Sequence, residues 1–349
     1  MKLTDGMKGL FFGAAVFALA AGSGARQVPA FPDDVREGLR TMEENVYGRR
    51  PDLSGFTPRV EVIESRRSVG LPSLRKRLRM NTMTPLGERS FEAMAYFPVE
   101  AKGHVPVFVY ISYGVDDHFT GRWPVKELIQ RGCATASFSY WDVLPDQAES
   151  LAGISRGTND WGAISTWALA ASRVVDYLVT EAQVDTNYIA VVGHSRLGKT
   201  ALWTGATDPR ITLTCVNDSG CLGARLSTCN LEGGETIRDI TRSFWYWFAP
   251  RCKEFVDKDA ALPFDQHWVM AAVAPRLLAI GSADGDAWAC PSAEFAGYEV
   301  MRDYYARIGA GANVDYHVRK GSHNLLAEDW HAYIDFAIRR GWPIRNLDK

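Results

Sequence analysis

The sequence predicts an α/β domain with a mainly parallel central sheet, helices on both faces and antiparallel strands at its N-terminal edge. Three observations carry that prediction. Six apolar runs of strand length recur after residue 100 with helical stretches between them, alternating segments precede them, and one run turns directly into a helix. Continuous apolar strands imply burial on both faces, which a parallel sheet between two helix layers provides.

The elements follow in order along the 349 residues. Lys2 and Lys8 flank the start of an apolar run from Gly9 to Ala21, and small residues continue to Ala25. This pattern predicts a secretory signal peptide over residues 1–25, cut after Ala20, Ala21 or Ala25, and a mature single domain over 26–349. Asp5 is unusual in a positive leader and points to a start at Met7. The run is shorter than the roughly 20 apolar residues of a spanning helix, so no stable membrane insertion is expected after cleavage. A secreted or periplasmic monomer is the expectation.

Between Arg59 and Val99, segments such as Arg59-Val-Glu-Val-Ile-Glu and Ser90-Phe-Glu-Ala-Met-Ala-Tyr-Phe alternate as antiparallel strands do. The six apolar runs are Val105–Ser112, Ala134–Tyr140, Tyr188–Val192, Ile211–Val216, Leu277–Ala283 and Val314–Val318. Asp160–Thr180, Ala293–Ile308 and Leu326–Ile338 carry apolar residues at helical spacing.

A formal net charge of −2 and a pI near 6.4 give no reason to expect nucleic acid or an anionic membrane as partner. Of six cysteines, Cys133 and Cys215 sit in strand-like runs and are expected as buried thiols. Cys221, Cys229, Cys252 and Cys290 lie in loop-like sequence and are the candidates for cross-links. No pair has zinc-like spacing, and neither metal nor cofactor is expected.

The stretch Gly193-His-Ser-Arg-Leu-Gly-Lys-Thr200 fits two chemistries. As G-x-S-x-x-G it sets Ser195 on a strand-to-helix turn, as in serine esterases, although Leu197 stands where a second glycine is usual. As G-x-x-x-x-G-K-T it matches a phosphate-cradling loop, with Asp218 imitating a magnesium-binding aspartate. An export signal speaks against the second reading, since no nucleotide pool exists outside the cytoplasm.

The first reading finds its partners in the order that α/β-hydrolases use, nucleophile, acid, histidine, each after a strand. Ser195 opens a helix, Asp284 follows the run Leu277–Ala283, and His323 follows the last run. A serine hydroxyl needs an imidazole to take its proton, and the imidazole needs a carboxylate to fix its tautomer. Asp284 is the preferred acid by position; Asp218, at the end of the strand after the nucleophile, and Asp286 are the alternatives. His194 and His267 read as structural. Trp245-Tyr-Trp247-Phe248 reads as core or pocket wall.

Around the nucleophile the chain resembles the glucuronoyl esterases, carbohydrate esterase family fifteen, above all bacterial members. The likeness rests on Gly193-His-Ser-Arg-Leu-Gly-Lys199, Asp160-Trp-Gly-Ala-Ile-Ser-Thr-Trp167, Asn217-Asp-Ser-Gly-Cys-Leu-Gly223 and Gly233-Gly-Glu-Thr236. It continues through Leu262-Pro-Phe-Asp-Gln-His267, Ala274-Pro-Arg276, Ser282-Ala-Asp-Gly-Asp-Ala-Trp288 and Gly321-Ser-His323, covering most of the mature chain. The resemblance implies hydrolysis of (4-O-methyl-)glucuronate esters linking xylan to lignin alcohols. It also implies Ser195 as nucleophile, His323 as base, Arg196 in the oxyanion hole and Lys199 on sugar hydroxyls. Glu235 and Trp288 fall near the remaining uronate contacts. Family members place the acid at the position of Asp218 or in the later loop matched by Asp284, so the resemblance leaves that choice open. His194 replaces a cysteine of fungal members, and a disulfide there is not expected. An acetyl-xylan or feruloyl esterase on the same scaffold, or a non-catalytic carbohydrate-binding protein, are the alternatives.

Overall fold

A computed structural model describes residues 28–50, 56–84, 86–114, 117–229 and 233–347. The leader expected over residues 1–25 lies outside the described residues. In chain order the main elements are α1 (Val35–Met42), β1 (Arg59–Arg67), β2 (Ser73–Thr84), β3 (Gly87–Pro98), β4 (Val105–Ser112), α2 (Val125–Gln130) and β5 (Ala134–Ser139). They continue with α3 (Ala163–Leu178), β6 (Val184–His194), α4 (Arg196–Thr207), β7 (Leu213–Asn217), α5 (Ile237–Ser243) and α6 (His267–Val273). The chain closes with β8 (Leu277–Ala283), α7 (Pro291–Arg307), β9 (Val314–Arg319) and α8 (Ala327–Arg339).

The nine strands form one sheet in the order β1-β2-β3-β5-β4-β6-β7-β8-β9. From β5 to β9 every pairing is parallel, and β1, β2 and β3 join antiparallel at one edge. The fold is that of an α/β-hydrolase. Strand β4 explains the continuous apolar pattern, because all eight of its residues are buried. Val107, Val109 and Ile111 point into one core with Ile164 and Trp167 of α3 and Ala201 and Leu202 of α4. Phe108 and Tyr110 point into another, with Leu128 of α2 and Trp330 and Tyr333 of α8. Alternation along a strand thus feeds two different helix layers.

Strand β2 behaves differently. Leu78 and Met80 enter the first core, whereas Arg75, Arg77 and Arg79, on the other side of the pleat, are only half-buried or exposed. The layer of α2 and α8 ends before it reaches β2.

Cys221, Cys252 and Cys290, three of the four cross-link candidates in loop-like sequence, are instead free buried thiols, as are Cys133 and Cys215.

Candidate active site

Strand β6 ends at His194 and α4 starts at Arg196, leaving Ser195 alone at the bend with φ 60° and ψ −126°. Such a backbone is costly for a side-chain-bearing residue and persists only where the surroundings impose it. They do so here. The Ser195 amide donates to the Asn217 carbonyl at 2.8 Å, at the end of the neighbouring strand β7. A Cβ on Gly193 would lie 1.9 Å from the Leu197 carbonyl oxygen, and one on Gly198 2.8 Å from the Asn217 oxygen. Both glycines are required by close approach. The same geometry removes the phosphate-loop reading: one residue separates strand from helix, and Lys199 is buried with its ammonium donating to the Ser219 carbonyl.

His323 lies on the loop after β9, and its Nδ1 meets Asp286 Oδ2 at 2.5 Å. Burial alone would raise the Asp286 carboxyl. The hydrogen bond and charge of His323, aided by the Ala289 amide at 3.1 Å, hold it below its usual value. The carboxylate on the histidine is therefore Asp286, not the preferred Asp284. Asp284 accepts from the Lys320 ammonium and, at 3.0 Å, from the Gly321 amide, bracing the turn that leads to His323. Asp218 is buried behind the histidine and accepts from the Ala283 amide at 2.6 Å and the Arg319 guanidinium at 3.2 Å. Burial, with the Glu294 and Asp286 carboxylates nearby, pushes Asp218 up to about 8 against the pull of Arg319. Arg319 also donates to the carbonyls of Ser322 and Asn324, on either side of His323, and to Asp329. Asp218 is thus one anchor of the arginine that holds the histidine loop.

His194 packs its ring 4.5 Å from that of His323 and shares a 2.7 Å hydrogen bond with Asn217 through Nδ1. Burial first, and His323 second, lower it from 6.5 to about 3. His267, buried and bonded to the Pro29 carbonyl at 2.9 Å, is lowered by burial to about 4. The unfolded chain takes up these protons near pH 6.5 and the folded chain does not, so this stabilisation is complete above pH 6.5 and declines as pH falls toward 4. The raised Asp218 carboxyl has the opposite sign, gaining stability as pH falls through 8, so the histidine contribution is read from a variant. His267→Gln should lose less melting temperature than the parent between pH 7 and pH 5; equal losses in the two proteins would contradict the assignment. His194, Asp218 and His323 also bring one possible metal-ligating atom each within 4.8 Å.

Arg196 begins α4, where a cation is unfavourable against the helix dipole. Its compensation is Asp146, fifty residues upstream in sequence, to which it donates. Asp146 also accepts from Tyr140 at 3.1 Å, Tyr246 at 2.8 Å and the Trp247 indole at 2.6 Å. The guanidinium lies 4.8 Å over the Trp247 ring, and its Nε is buried without a partner. Sequence reasoning found Arg196 and missed Asp146 and Arg319. Neither lies in the motifs around Ser195, Asp284 and His323, so no local signal marks them. The run Trp245–Phe248 is both wall and core: Trp247 lines the site, while Phe248 packs on Tyr47.

Ser195, Arg196, Lys199, Glu235, Trp288 and His323 line one cavity of about 170 Å³. Lys199 Nζ lies 3.9 Å from Glu235 Oε2. Burial pulls the lysine down while Glu235 pulls it up; burial raises Glu235 while Lys199 and the Trp288 indole lower it. A buried ion pair at that spacing, with Trp288 56% exposed on the rim, offers hydroxyl-binding groups below a flat apolar edge. Trp288 is therefore not a core residue. The cavity can hold a polar ring beside a serine, an imidazole and a guanidinium group.

The family model described as "Glucuronyl esterase, fungi" matches residues 84–309. Carbohydrate esterase MZ0003, from an unknown prokaryotic organism, is 32% identical over 86% of this chain and 83% of its own length. The 4-O-methyl-glucuronoyl methylesterase of Podospora anserina is 31% identical over 54% of this chain and 42% of that protein. Among solved structures, a CE15 esterase from a marine bacterial metagenome superposes with a TM-score of 0.79 at 29% identity, covering 89% of this chain and 98% of that one. A glucuronoyl esterase from Solibacter usitatus superposes at 0.82 and 27% identity, covering 92% of this chain and all of that one.

Proposed function

The chain belongs to the glucuronoyl esterase family, carboxylic ester hydrolases acting on glucuronate esters, and from that premise we propose that Ser195, His323 and Asp286 carry the reaction on esters joining xylan glucuronate to lignin alcohols. Ser195 Oγ attacks the uronate carbonyl carbon while His323 Nε2 accepts the hydroxyl proton. Asp286 holds the other ring nitrogen and balances the imidazolium. The carbonyl oxygen becomes an oxyanion facing Arg196 Nε and the first amide of α4. His323 then delivers its proton to the alcohol oxygen as the C–O bond breaks, leaving an acyl-serine. Water, deprotonated by the same imidazole, attacks the acyl carbon and releases glucuronate and Ser195. No step requires a cofactor.

The observation that carries this reading is the His323–Asp286 hydrogen bond, with His323 lining one cavity together with Ser195 and Arg196. Lys199 and Glu235 favour a glucuronate over an acetyl or feruloyl group, because a buried ion pair left without sugar hydroxyls would bring no affinity. The purified mature protein is expected to hydrolyse benzyl glucuronate about 10²-fold or more faster than methyl ferulate or acetylated xylan. Equal rates on all three would overturn the substrate assignment.

Asp146 acts through Arg196. Asp146→Asn is expected to lower kcat by about 10²-fold with little change in KM, because the loss concerns the oxyanion and not the sugar. A rise in KM at constant kcat would place Asp146 in substrate binding instead. We also assign residues 1–25 to an export leader and the rest to one secreted or periplasmic monomeric domain. No described helix is long and apolar enough to cross a membrane. N-terminal sequencing and light scattering on the exported protein test that assignment.

A further inference from the structure

Among the described residues, the layer of α2 and α8 reaches β3 but not β1 and β2, and the face it leaves bare at this edge of the sheet is charged. The register sets Arg75 opposite Tyr96, Arg77 opposite Met94 and Arg79 opposite Glu92 on one side. On the other side Arg66 faces Arg75, Glu64 faces Arg77 and Glu61 faces Arg79. Two cavities of about 680 and 430 Å³ lie here and share Arg75, Tyr96 and Trp123, so they form one trough. Arg66, Arg67 and Lys126 wall its outer end; Ser112, Gly114, Ser139 and Asp142 wall its inner end.

The inner end adjoins the active site. Tyr113 and Tyr140, chain neighbours of those last residues, meet edge to face at 5.5 Å and touch the other side: Tyr113 donates to the His194 carbonyl at 2.9 Å and Tyr140 to Asp146. Trp141, 43% exposed, stands beside them.

The carboxylates here, Asp142 at the inner end included, do not balance the cations. Glu64 serves both Arg66 and Arg75, Glu92 serves both Arg77 and Arg79, and Glu61 serves Arg79 again. Among the described residues, Arg67 and Lys126 have no carboxylate partner, and the Nε atoms of Arg75 and Arg77 are buried without an acceptor. This cationic excess sits on a chain whose formal net charge is −2.

We propose that the trough is a second binding site, for a polysaccharide segment that carries free carboxylates. The proposal rests on the glucuronate-ester reading, since each turnover leaves a carboxylate on the polymer and unesterified neighbours carry one already. Guanidinium forks match carboxylates in geometry and charge. The long trough accepts an extended chain whose esterified branch reaches Ser195, and holds the polymer after the ester is cut.

The test uses Ser195→Ala protein, which binds without turnover, against glucuronoxylan and the same xylan with its carboxyls reduced to alcohols, at low and high salt. The acidic polymer is expected to bind about tenfold tighter than the reduced one at low salt, with the difference fading at high salt. Arg66→Glu/Arg67→Glu/Lys126→Glu should abolish that difference. The milder Arg67→Glu/Lys126→Glu, which disturbs no ion pair, guards against a folding defect. In the active background the same changes should leave kcat/KM on benzyl glucuronate intact and raise KM on the polymeric ester. Undiminished binding of the acidic polymer by both variants overturns the proposal. So does equal retention of DNA, which would mark a generic polyanion patch, or a dimer that the charge reversal dissolves. Should benzyl glucuronate prove inert while charge reversal still abolishes acidic-xylan binding, the trough stands and the esterase reading falls.

Discussion

Ser195→Ala is expected to lower kcat on benzyl glucuronate by about 10⁶-fold, the loss seen when a triad serine is removed. The neighbouring hydroxyls are committed elsewhere: Ser219 hydrogen-bonds the buried Glu294 at 3.0 Å, and Tyr113 donates to the His194 carbonyl at 2.9 Å. Substrate affinity should survive, because Lys199, Glu235 and Trp288 are untouched. Alanine keeps the same Cβ, so the bend should form and the melting temperature should stay close to that of the parent. A variant that folds and retains more than about a hundredth of the parent kcat would end the acyl-enzyme mechanism.

Asp286→Asn should lower kcat by about 10⁴-fold. The amide keeps the shape but presents the wrong partner to Nδ1, so the imidazole adopts the tautomer that cannot accept the serine proton. Asp284→Asn supplies the contrast. It loses the charge facing Lys320 but can still accept from the Gly321 amide, and its rate should fall no more than about tenfold. Asp218→Asn loosens Arg319, so its effect should include a lowered melting temperature as well as a slower rate. If Asp284→Asn proved the crippled enzyme and Asp286→Asn the mild one, the acid assigned from the His323 hydrogen bond would be wrong.

The parallel sheet was legible because strands buried on both faces must be apolar throughout, as β4 and β8 are. Position after a strand also placed Ser195 and His323 on the loops where the structure has them, lining one cavity. The carboxylate that meets His323 was not legible to that accuracy. Asp284 and Asp286 lie two residues apart in one loop, and both follow β8. Their division of labour is set where that loop meets the one after β9. The Asp284 amide donates to Arg319 O at 3.0 Å and the Gly285 amide to Gly321 O at 2.9 Å. That pairing turns Asp284 toward Lys320 and Asp286 toward His323. Asp146 had no local signal at all, since a carboxylate between two turns resembles any other until its four donors converge on it.

Order along the chain and apolar continuity determined the fold and the placement of Ser195 and His323 after strands, because both are properties of single strands and of the residues that end them. Which carboxylate meets His323, how Arg196 is anchored and the bare cationic face were decided only by the tertiary structure. Each depends on the direction of a side chain across a gap between segments distant in sequence, and direction is fixed by packing and hydrogen bonding, not by spacing.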